Sequence, residues 1–401
     1  MIFKIALFVI ALFSMTSCKQ KINSNPKEIS FWHFQSEPKM KSALKEIISK
    51  FELENNCKVI TTELSWGDGK TKLIAAFNSR TPPDVLELGS DWIAQFSSSG
   101  SLKDISNQTE INKYVLSSQS PCFWNNKVYA LPWYVDSRVV FYNKSLIKDS
   151  LKLDSLFNWY SILNLCKKVK TNGIYGFGIN GADPHRLYKK IIPMFWSNGG
   201  DIFENGSVVI NSQQNIEALQ MYVKLSENGI IENQRNLDKI FLQGKLAFVF
   251  SGGWLLDKIK KENPNLKFGI INIPPLNTGK GYSFAGGEYL ALSATTNKSD
   301  LATKFINYIT NGKTTLDYCK KEIGTVLPAD SAYIKDKYFK NIPYMNYFIN
   351  QLPLSKMTPV NPHWLDIEEV IESQVELALY KKKSAKQALN DAKFEIEALM
   401  K

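Results

Sequence analysis

Strand-like runs alternate with runs at helical spacing from residue 29 onward, and this alternation limits the fold more than any other feature. The apolar run 29–33 precedes residues 40–51, whose apolar side chains recur every three or four positions. The runs 58–64 and 84–88 have strand character, and a helical pattern through residues 73–77 lies between them. Such alternation predicts a parallel β-sheet with helices on its faces, an α/β fold.

The second half of the chain continues the same pattern. Asn211 or Ser212 can cap a helix that ends at Gly229, and the apolar run 246–250 predicts a buried strand. Residues 284–293 predict another strand, and two amphipathic helices close the sequence. With 401 residues, 44% of them hydrophobic and 22% charged, the chain is long enough for two globular domains.

The amino terminus has the features of an export signal. An apolar run, residues 5–13, follows Lys4 and leads to the tetrapeptide Met15 to Cys18. This run is far shorter than the ~20 residues of a membrane-spanning helix. The tetrapeptide resembles the bacterial lipobox, which predicts a signal peptide at 1–17, a lipid on Cys18 and a flexible tether at 18–27. An ordinary secretion signal without lipid is the alternative; either places the protein outside the cytoplasm, and the lipid would anchor it to a membrane.

The charge and the cysteines exclude several classes of function. The net charge is +11, but the chain has only four arginines and its lysines are scattered, which predicts a solvated surface and no nucleic-acid partner. The cysteines after Cys18 are widely spaced and contain no Cys-x-x-Cys pair. We expect them to be buried free thiols. The four are Cys57, Cys122, Cys166 and Cys319.

No catalytic, metal or cofactor motif is present in the sequence. Gly312 to Thr314 imitates the end of a phosphate-binding loop, but Asn307 occupies the position of its first glycine. The sequence has no Gly-x-Ser-x-Gly elbow and no His-Glu-x-x-His helix. The three histidines, His33, His185 and His363, are too dispersed to predict a metal site. We therefore expect a protein that is not an enzyme and holds neither metal nor cofactor.

Tryptophans stand at strand ends or loop openings, most of them beside an acidic, amide or histidine side chain. In open α/β sheets ligands bind outside the carboxyl ends of the strands. Sugar rings pack on aromatic faces, and their hydroxyl groups bond to carboxylates, so a carbohydrate suits such a site. Core packing is the alternative for each ring. The positions are Trp32 with His33, Trp66, Asp91 with Trp92, Trp133 with Asp136, Trp196, Trp254 and Trp364.

Three carboxylates in these loops have competing interpretations. Asp91 could contact a ligand or cap the helix that follows it. Asp136 could contact a ligand or form an ion pair with Arg138. Glu288 follows two glycines, which let the backbone approach another group closely, and this favours a ligand contact. A lipid-anchored glycoside hydrolase would use the same three groups as its catalytic pair, so the sequence leaves that alternative open.

Several segments resemble the extracellular solute-binding proteins of ABC transporters, in the sugar-binding group related to maltose-binding proteins. The resemblance runs in order along nearly the whole mature chain. The matching segments are 29–33, 83–92, 129–132 with 141–144, 198–201, 241–253 and 284–292.

This resemblance implies a two-lobed, periplasmic-binding-protein-like fold of type II with one ligand in the cleft between the lobes. The chain would cross between the lobes near 139–143, 284–287 and 324–327. Lobe 1 would then comprise 28–140 plus 287–324, and lobe 2 would comprise 141–286 plus 325–401. The protein would work as a monomer that delivers its ligand to the permease of an ABC importer.

The resemblance also implies which loops contact the ligand, expected to be a mono- to trisaccharide. A polyamine or another non-sugar solute in the same fold is the alternative. The expected ligand contacts are Trp32, His33, Trp66, Ser90, Asp91, Trp133, Asp136, Trp196, Gly253, Trp254, Gly287, Glu288 and Trp364.

Overall fold

The computed structural model of the chain describes residues 27–147, 158–321 and 326–401. The expected signal peptide, Cys18 and the tether up to residue 26 lie outside the described residues. Lys27, the last residue of the expected tether, already belongs to the first strand. No described helix has both the length and the apolar composition that a membrane crossing requires.

The secondary structure follows the alternation of the sequence. The strands are β1 Lys27–His33, β2 Cys57–Glu63, β3 Val85–Gly89, β4 Phe123–Trp124, β5 Lys127–Val128, β6 Ala130–Ser137, β7 Val139–Asn143, β8 Tyr175–Asn180, β9 Phe203–Glu204, β10 Ser207–Val208, β11 Ile230–Glu232, β12 Leu246–Ser251, β13 Phe268–Ile271, β14 Ser283–Leu292, β15 Leu327–Pro328 and β16 Ser355–Lys356. The helices are α1 Pro38–Asn55, α2 Gly69–Asn78, α3 Ile93–Ser98, α4 Leu116–Gln119, α5 Trp159–Val169, α6 Tyr188–Trp196, α7 Gln213–Glu227, α8 Gln234–Leu242, α9 Trp254–Glu262, α10 Ser299–Ile309, α11 Gly312–Lys321, α12 Lys337–Lys340, α13 Met345–Gln351, α14 Trp364–Leu379 and α15 Ala385–Leu399.

The first sheet has the strand order β15-β6-β14-β3-β1-β2, and β16 pairs with the start of β14. Strand β1 is parallel to β2 and β3, as the alternation predicts. Strand β14 is antiparallel to β3 and β6, so the expectation of an all-parallel sheet is wrong. The physical reason is the route of the chain. Strand β14 enters from the second sheet, at the edge where β3 ends, and therefore runs in the opposite direction.

The second sheet has the order β11-β8-β12-β7-β13 and is also mixed. Strand β8 is parallel to β11 and β12, whereas β7 is antiparallel to β12 and β13. Apolar side chains of α5, α6, α7, α14 and α15 form one core with this sheet. Helices α8 and α9 contribute to the other core, which includes the first sheet. The two sheets with their helices form two α/β lobes.

The chain passes directly from one sheet to the other at two places. Strand β6 belongs to the first sheet and β7 to the second, and only Arg138 separates them. Strand β14 then brings the chain back to the first sheet. Near the third expected crossing, Gly324 lies outside the described residues and β15 pairs with β6. The residue boundaries that we assign to the two lobes stay a prediction.

The four cysteines of the described residues are buried and free, which agrees with the expectation from their spacing. Burial raises the pKa of the Cys122 thiol well above its usual range, because the thiolate would lose its hydration. The thiols therefore act as small apolar side chains of the two cores.

The predicted cap of the helix that starts near residue 212 is confirmed and allows a first stability test. Ser212 Oγ accepts a hydrogen bond from the backbone N–H of Asn215 at 3.3 Å. We expect Ser212→Ala to lower the free energy of unfolding by about 1 kcal/mol, because that donor loses its partner. Urea denaturation measures the change, and Ser212→Asp, which keeps an acceptor, should stay close to wild type. Equal losses in the two variants would contradict the assignment.

Candidate functional site

The carboxyl end of β3, which pairs with β1, meets the middle of β14 at one edge of the first sheet. Glu288 of β14 lies opposite Gly89, the last residue of β3. Asp136 of β6 lies opposite Gly286 on the other side of β14. A side chain at Gly286 would overlap the Asp136 carboxylate, so this close approach requires the glycine. Three carboxylates of the first lobe therefore lie at this edge, those of Asp91, Asp136 and Glu288.

The second lobe presents Trp254 and the start of α6 to the same edge. The Arg138 guanidinium lies 4.6 Å from the Trp254 ring and forms an ion pair with Asp136 at 2.5 Å. Tyr188 Oη donates to Asp91 Oδ2 at 3.4 Å, and Lys189 Nζ lies 3.7 Å from the same oxygen. Asp91 therefore contacts the opposite lobe directly, and a cleft lies between the two strand edges.

An aromatic cluster flanks the acidic edge on the first lobe. Trp66 stacks on Phe34 with ring centroids 4.1 Å apart, and Trp92 lies 5.4 Å from Trp66. Trp92 is buried, but 46% of Trp66 is exposed. An exposed indole held by two other rings provides a rigid apolar surface beside Asp91. Trp32 is partly buried and packs against the same core.

Two of the carboxylates at the edge each have one oxygen without a hydrogen-bond donor. Oε2 of Glu288 and Oδ1 of Asp136 are buried and have no hydrogen-bond partner among the described residues. Burial raises the pKa of Glu288 well above its usual range, and the nearby carboxylates of Glu87, Asp136 and Asp91 raise it further. A group that enters the cleft with N–H or O–H donors would satisfy these oxygens.

Glu87 of β3 forms a buried hydrogen-bond network next to this edge. It is fully buried and accepts hydrogen bonds from the Phe34 backbone N–H at 2.9 Å and from Gln35 Nε2 at 2.6 Å. The same Gln35 nitrogen donates to Tyr134 Oη at 2.9 Å. Burial raises the pKa of Glu87 to about 7. This network joins three strands of the first sheet directly under the carboxylates of the cleft.

A second carboxylate pair lies on helix α14, at the opposite wall of the cleft. Glu368 is fully buried, and its Oε1 lies 2.5 Å from His185 Nδ1. Oε2 of Glu368 has no hydrogen-bond partner in the described part of the chain. Glu372 accepts the backbone N–H groups of His185 and Tyr188, which ties the loop before α6 to α14. Sequence reasoning missed these residues.

Several expected contact residues are buried inside the lobes. His33 is almost fully buried, and burial lowers its pKa to about 4, so the ring is neutral at physiological pH. Trp133 is fully buried between Tyr134 and Tyr318. Trp364 is buried against Tyr188, with ring centroids 5.6 Å apart. In this conformation the structure places these three rings in the interior rather than on the cleft wall.

Trp196 lies in a different place from the acidic edge. It lines a groove of about 380 Å³ together with residues of both lobes, such as Ser117 and Phe203. Its Nε1 donates to Asp201 at 3.1 Å, and the Lys356 ammonium lies 5.4 Å from its ring. None of the carboxylates at the acidic edge lines this groove. The structure therefore separates Trp196 from the other expected contacts.

The remaining expected positions border the cleft. Ser90 connects Gly89 to Asp91, and Gly253 is buried directly before Trp254. Gly287 is partly exposed beside Glu288. No group of three or more His, Cys, Asp or Glu side chains in the described ranges has the arrangement of a metal site. The side chains at the cleft are indoles, carboxylates and cationic groups. Which of these residues touch the ligand stays a prediction.

Comparison with known proteins agrees with this architecture. The model of the bacterial extracellular solute-binding protein family matches residues 36–314. The galactooligosaccharide-binding protein of Bacillus subtilis is 26% identical, over 94% of this chain and 92% of its own length. The maltodextrin-binding protein of the same organism is also 26% identical, over 96% and 94%.

Solved structures show the same fold at lower identity. A cyclic α-maltosyl-1,6-maltose-binding protein from Arthrobacter globiformis superposes with a TM-score of 0.81 and 19% identity, covering 93% of this chain and 98% of its own. An ABC substrate-binding protein of Listeria monocytogenes, solved with cycloalternan, gives a TM-score of 0.79 and 20% identity, with 94% and 99% covered. The family match and the shared fold lead to one conclusion: the chain belongs to the bacterial extracellular solute-binding proteins, which are two-lobed receptors rather than enzymes.

Proposed function

We propose that this protein is a lipid-anchored, extracytoplasmic receptor that captures a mono- to trisaccharide in the cleft between its lobes. It then delivers the sugar to the permease of an ABC importer. The lipid on Cys18 holds the receptor at the membrane, where a short tether keeps its effective concentration at the permease high. The receptor works as a monomer, because one chain supplies both walls of the cleft.

The observation that carries this proposal is the pairing of an exposed indole with carboxylate oxygens that lack donors. Trp66 presents an apolar face, and Asp136 and Glu288 present unpartnered buried oxygens. A sugar has C–H groups on its ring faces and hydroxyl donors on its rim, so it satisfies both kinds of surface at once. A purely apolar solute would leave the carboxylates without partners, which is unfavourable in a buried site.

The names of the relatives support a carbohydrate ligand. The Bacillus subtilis relatives bind a galactooligosaccharide and a maltodextrin according to their names, and they match this chain over nearly its full length. The diacetylchitobiose-binding protein of Streptomyces coelicolor is 26% identical over 67% of this chain. The three relatives are named after three different saccharides. Their names therefore support a carbohydrate as the class of ligand but do not indicate which carbohydrate. The alternative of a glycoside hydrolase that uses Asp91, Asp136 and Glu288 is not retained, because the family consists of receptors.

Closure of the lobes is the step that would retain the ligand. The chain crosses between the sheets at Arg138 and again through residues 272–282 before β14, and we infer that these connections form the hinge. Asp91 already bonds to Tyr188 and Lys189 on the other lobe. A sugar that contacts both walls binds the closed form more tightly than the open form, and this difference in affinity shifts the population toward closure.

Ligand binding is tested by thermal shift and calorimetry on the protein without its signal segment. A sugar at 100 times its dissociation constant should add about 2.7 kcal/mol to the free energy of unfolding. We expect Asp91→Asn to lower the affinity for that sugar by about tenfold, because a charged hydrogen-bond acceptor at the cleft is lost. Asp300→Asn, at an exposed position on α10, is the matched control and should bind like wild type.

The same ligand should compact the protein in small-angle scattering. Binding without any decrease in the radius of gyration would contradict the hinge mechanism. The screen includes spermidine as a polyamine, since carboxylates also bind cations. Binding of spermidine and of no sugar would overturn the proposed class of ligand.

A further inference from the structure

We propose that the saccharide carries a free amino group and that its ammonium lies against Glu288 in the cleft. This inference rests on the proposed function and makes its ligand more specific. It is argued from the charges around Glu288, from buried carboxylate oxygens that lack hydrogen-bond partners, and from the number of donors that these oxygens require.

The first step is the balance of charge on the first lobe. Asp91 has Lys189 as its cation at 3.7 Å, and Asp136 has Arg138 at 2.5 Å. Among the described residues no lysine or arginine forms an ion pair with Glu288 within 4 Å. A buried carboxylate without a cation is costly in free energy and is favoured in its protonated form, whereas a cation from the ligand would stabilise the charged form.

A second buried carboxylate, Glu368, lies on helix α14 of the second lobe. Glu368 is fully buried and engages His185 through one oxygen, while its Oε2 is without a hydrogen-bond partner in the described chain. Asp91 and Lys189 interact electrostatically with both Glu288 and Glu368. The Lys70 ammonium also approaches Glu368, as its electrostatic interaction with that carboxylate shows. Glu288 is therefore the carboxylate with the greater need for a cation.

The third step is the count of donors. The unpartnered atoms at the cleft include three carboxylate oxygens, on Asp136, Glu288 and Glu368. A hydroxyl group donates one hydrogen bond, whereas an ammonium donates three and carries a compensating charge. Acetylation of the amino group removes the charge and two of the three donors. A free amino sugar consequently fits the cleft better than its acetylated or hydroxylated analogue.

The binding of an amine should also depend on pH. Burial raises the pKa of Glu288, and the groups that face it are Glu87, Asp91, Asp136, Tyr134 and Lys189. A bound ammonium favours the charged carboxylate, so Glu288 releases a proton on binding. The affinity for the amino sugar therefore increases as the pH is raised from 5 to 7. A neutral sugar does not require the charged carboxylate and should not show this increase.

The experiment compares matched sugars by titration calorimetry on the wild-type chain. The probes are mono- and disaccharides of gluco and galacto configuration, each with a free amino, an acetamido or a hydroxyl group at carbon 2. We expect the best amino form to bind about tenfold or more tightly than its two analogues at pH 7. In Glu288→Gln the preference should disappear, and in the exposed control Glu54→Gln it should persist.

Each outcome bears on the inference in a defined way. If a neutral form binds at least as tightly as its amino analogue, the inference is wrong but the receptor function stands. Persistence of the preference in folded Glu288→Gln, verified by circular dichroism, would also overturn it. If no sugar of any form binds, both this inference and the proposed function fail. Should the variant not fold, the comparison of sugars and the pH dependence in the wild-type chain decide the question.

Discussion

Replacing Arg138 with methionine should lower the free energy of unfolding by about 3 kcal/mol at pH 7. Only 13% of the Arg138 side chain and 20% of Asp136 are exposed, and the two form an ion pair at 2.5 Å. Removing one member of a mostly buried pair leaves the other charge without compensation, which typically costs about 3–5 kcal/mol. The partial exposure of both groups places the expected value at the lower end of that range.

The surroundings increase the effect of this substitution. Asp136 and Glu288 repel each other electrostatically, and loss of the guanidinium removes the cation that is paired with Asp136. The ring of Trp254 also loses the cation that lies 4.6 Å from it. Arg138 stands between β6 and β7, so the strain falls on the connection between the lobes.

A double variant separates charge from packing in this experiment. Asp136→Asn combined with Arg138→Met removes both charges, and we expect it to regain most of the lost stability. Lys127→Met breaks an exposed ion pair with Asp104 and should change stability by less than about 1 kcal/mol. Urea denaturation at pH 7 measures all three. A value for Arg138→Met within about 0.5 kcal/mol of wild type would contradict the structural role of the pair.

The local part of the fold was predictable from sequence because short-range patterns determine it. The alternation of period two and period 3.6 located β1 to β3 and the helices between them, and Ser212 marked a helix start. The direction of β14 was not predictable in this way. Its pairing joins residues about 200 positions apart, such as Glu288 and Gly89, and local periodicity contains no information on such a pair.

The candidate site was predictable to a similar extent. Asp91, Asp136 and Glu288 stand beside aromatic or glycine residues at strand ends, and the structure brings them to one edge. Glu368 and His185 carried no such signal. Glu368 lies inside the continuous helix α14, and its partner is 183 positions away in the sequence. The aromatic pattern alone also could not separate Trp66, which is exposed, from a buried ring.

Replacing Lys190 with methionine should stabilise the protein by about 4 kcal/mol at pH 6. Lys190 is almost fully buried on α6, and the one hydrogen bond that its ammonium makes within the described part of the chain is long, 3.5 Å to the Phe250 carbonyl. Burial, together with the charges of Arg138 and Arg186, lowers the pKa of Lys190 to about 7, although Asp238 and Asp136 oppose this shift. Methionine has a similar length and does not carry a charge into the interior.

The pH dependence distinguishes this explanation from a packing effect. Between pH 7 and the usual lysine pKa of about 10.4, the unfolded chain binds a proton that the folded chain has lost. The free energy of unfolding of the wild-type protein therefore increases as the pH rises through this window. The cost of burying the charged Lys190 ammonium is fully present only below pH 7. The advantage of Lys190→Met should accordingly shrink to about 1–2 kcal/mol at pH 9.5, since each pKa unit corresponds to about 1.4 kcal/mol.

Chemical denaturation of both proteins at pH 6, 7, 8 and 9.5 measures this difference. Lys224→Met, at an exposed position on α7, is the matched control and should show no trend over the same range. If Lys190→Met were more stable than wild type by the same free energy at every pH, packing alone would explain the difference. That result would contradict a buried lysine that titrates in this range. Because Lys190 lies close to Asp136 and Arg138, a confirmed trend would also mean that the second lobe carries a destabilising charge directly behind the cleft. Ionisable groups with strongly shifted pKa values cluster at functional sites, so a confirmed trend would support a ligand site next to Lys190.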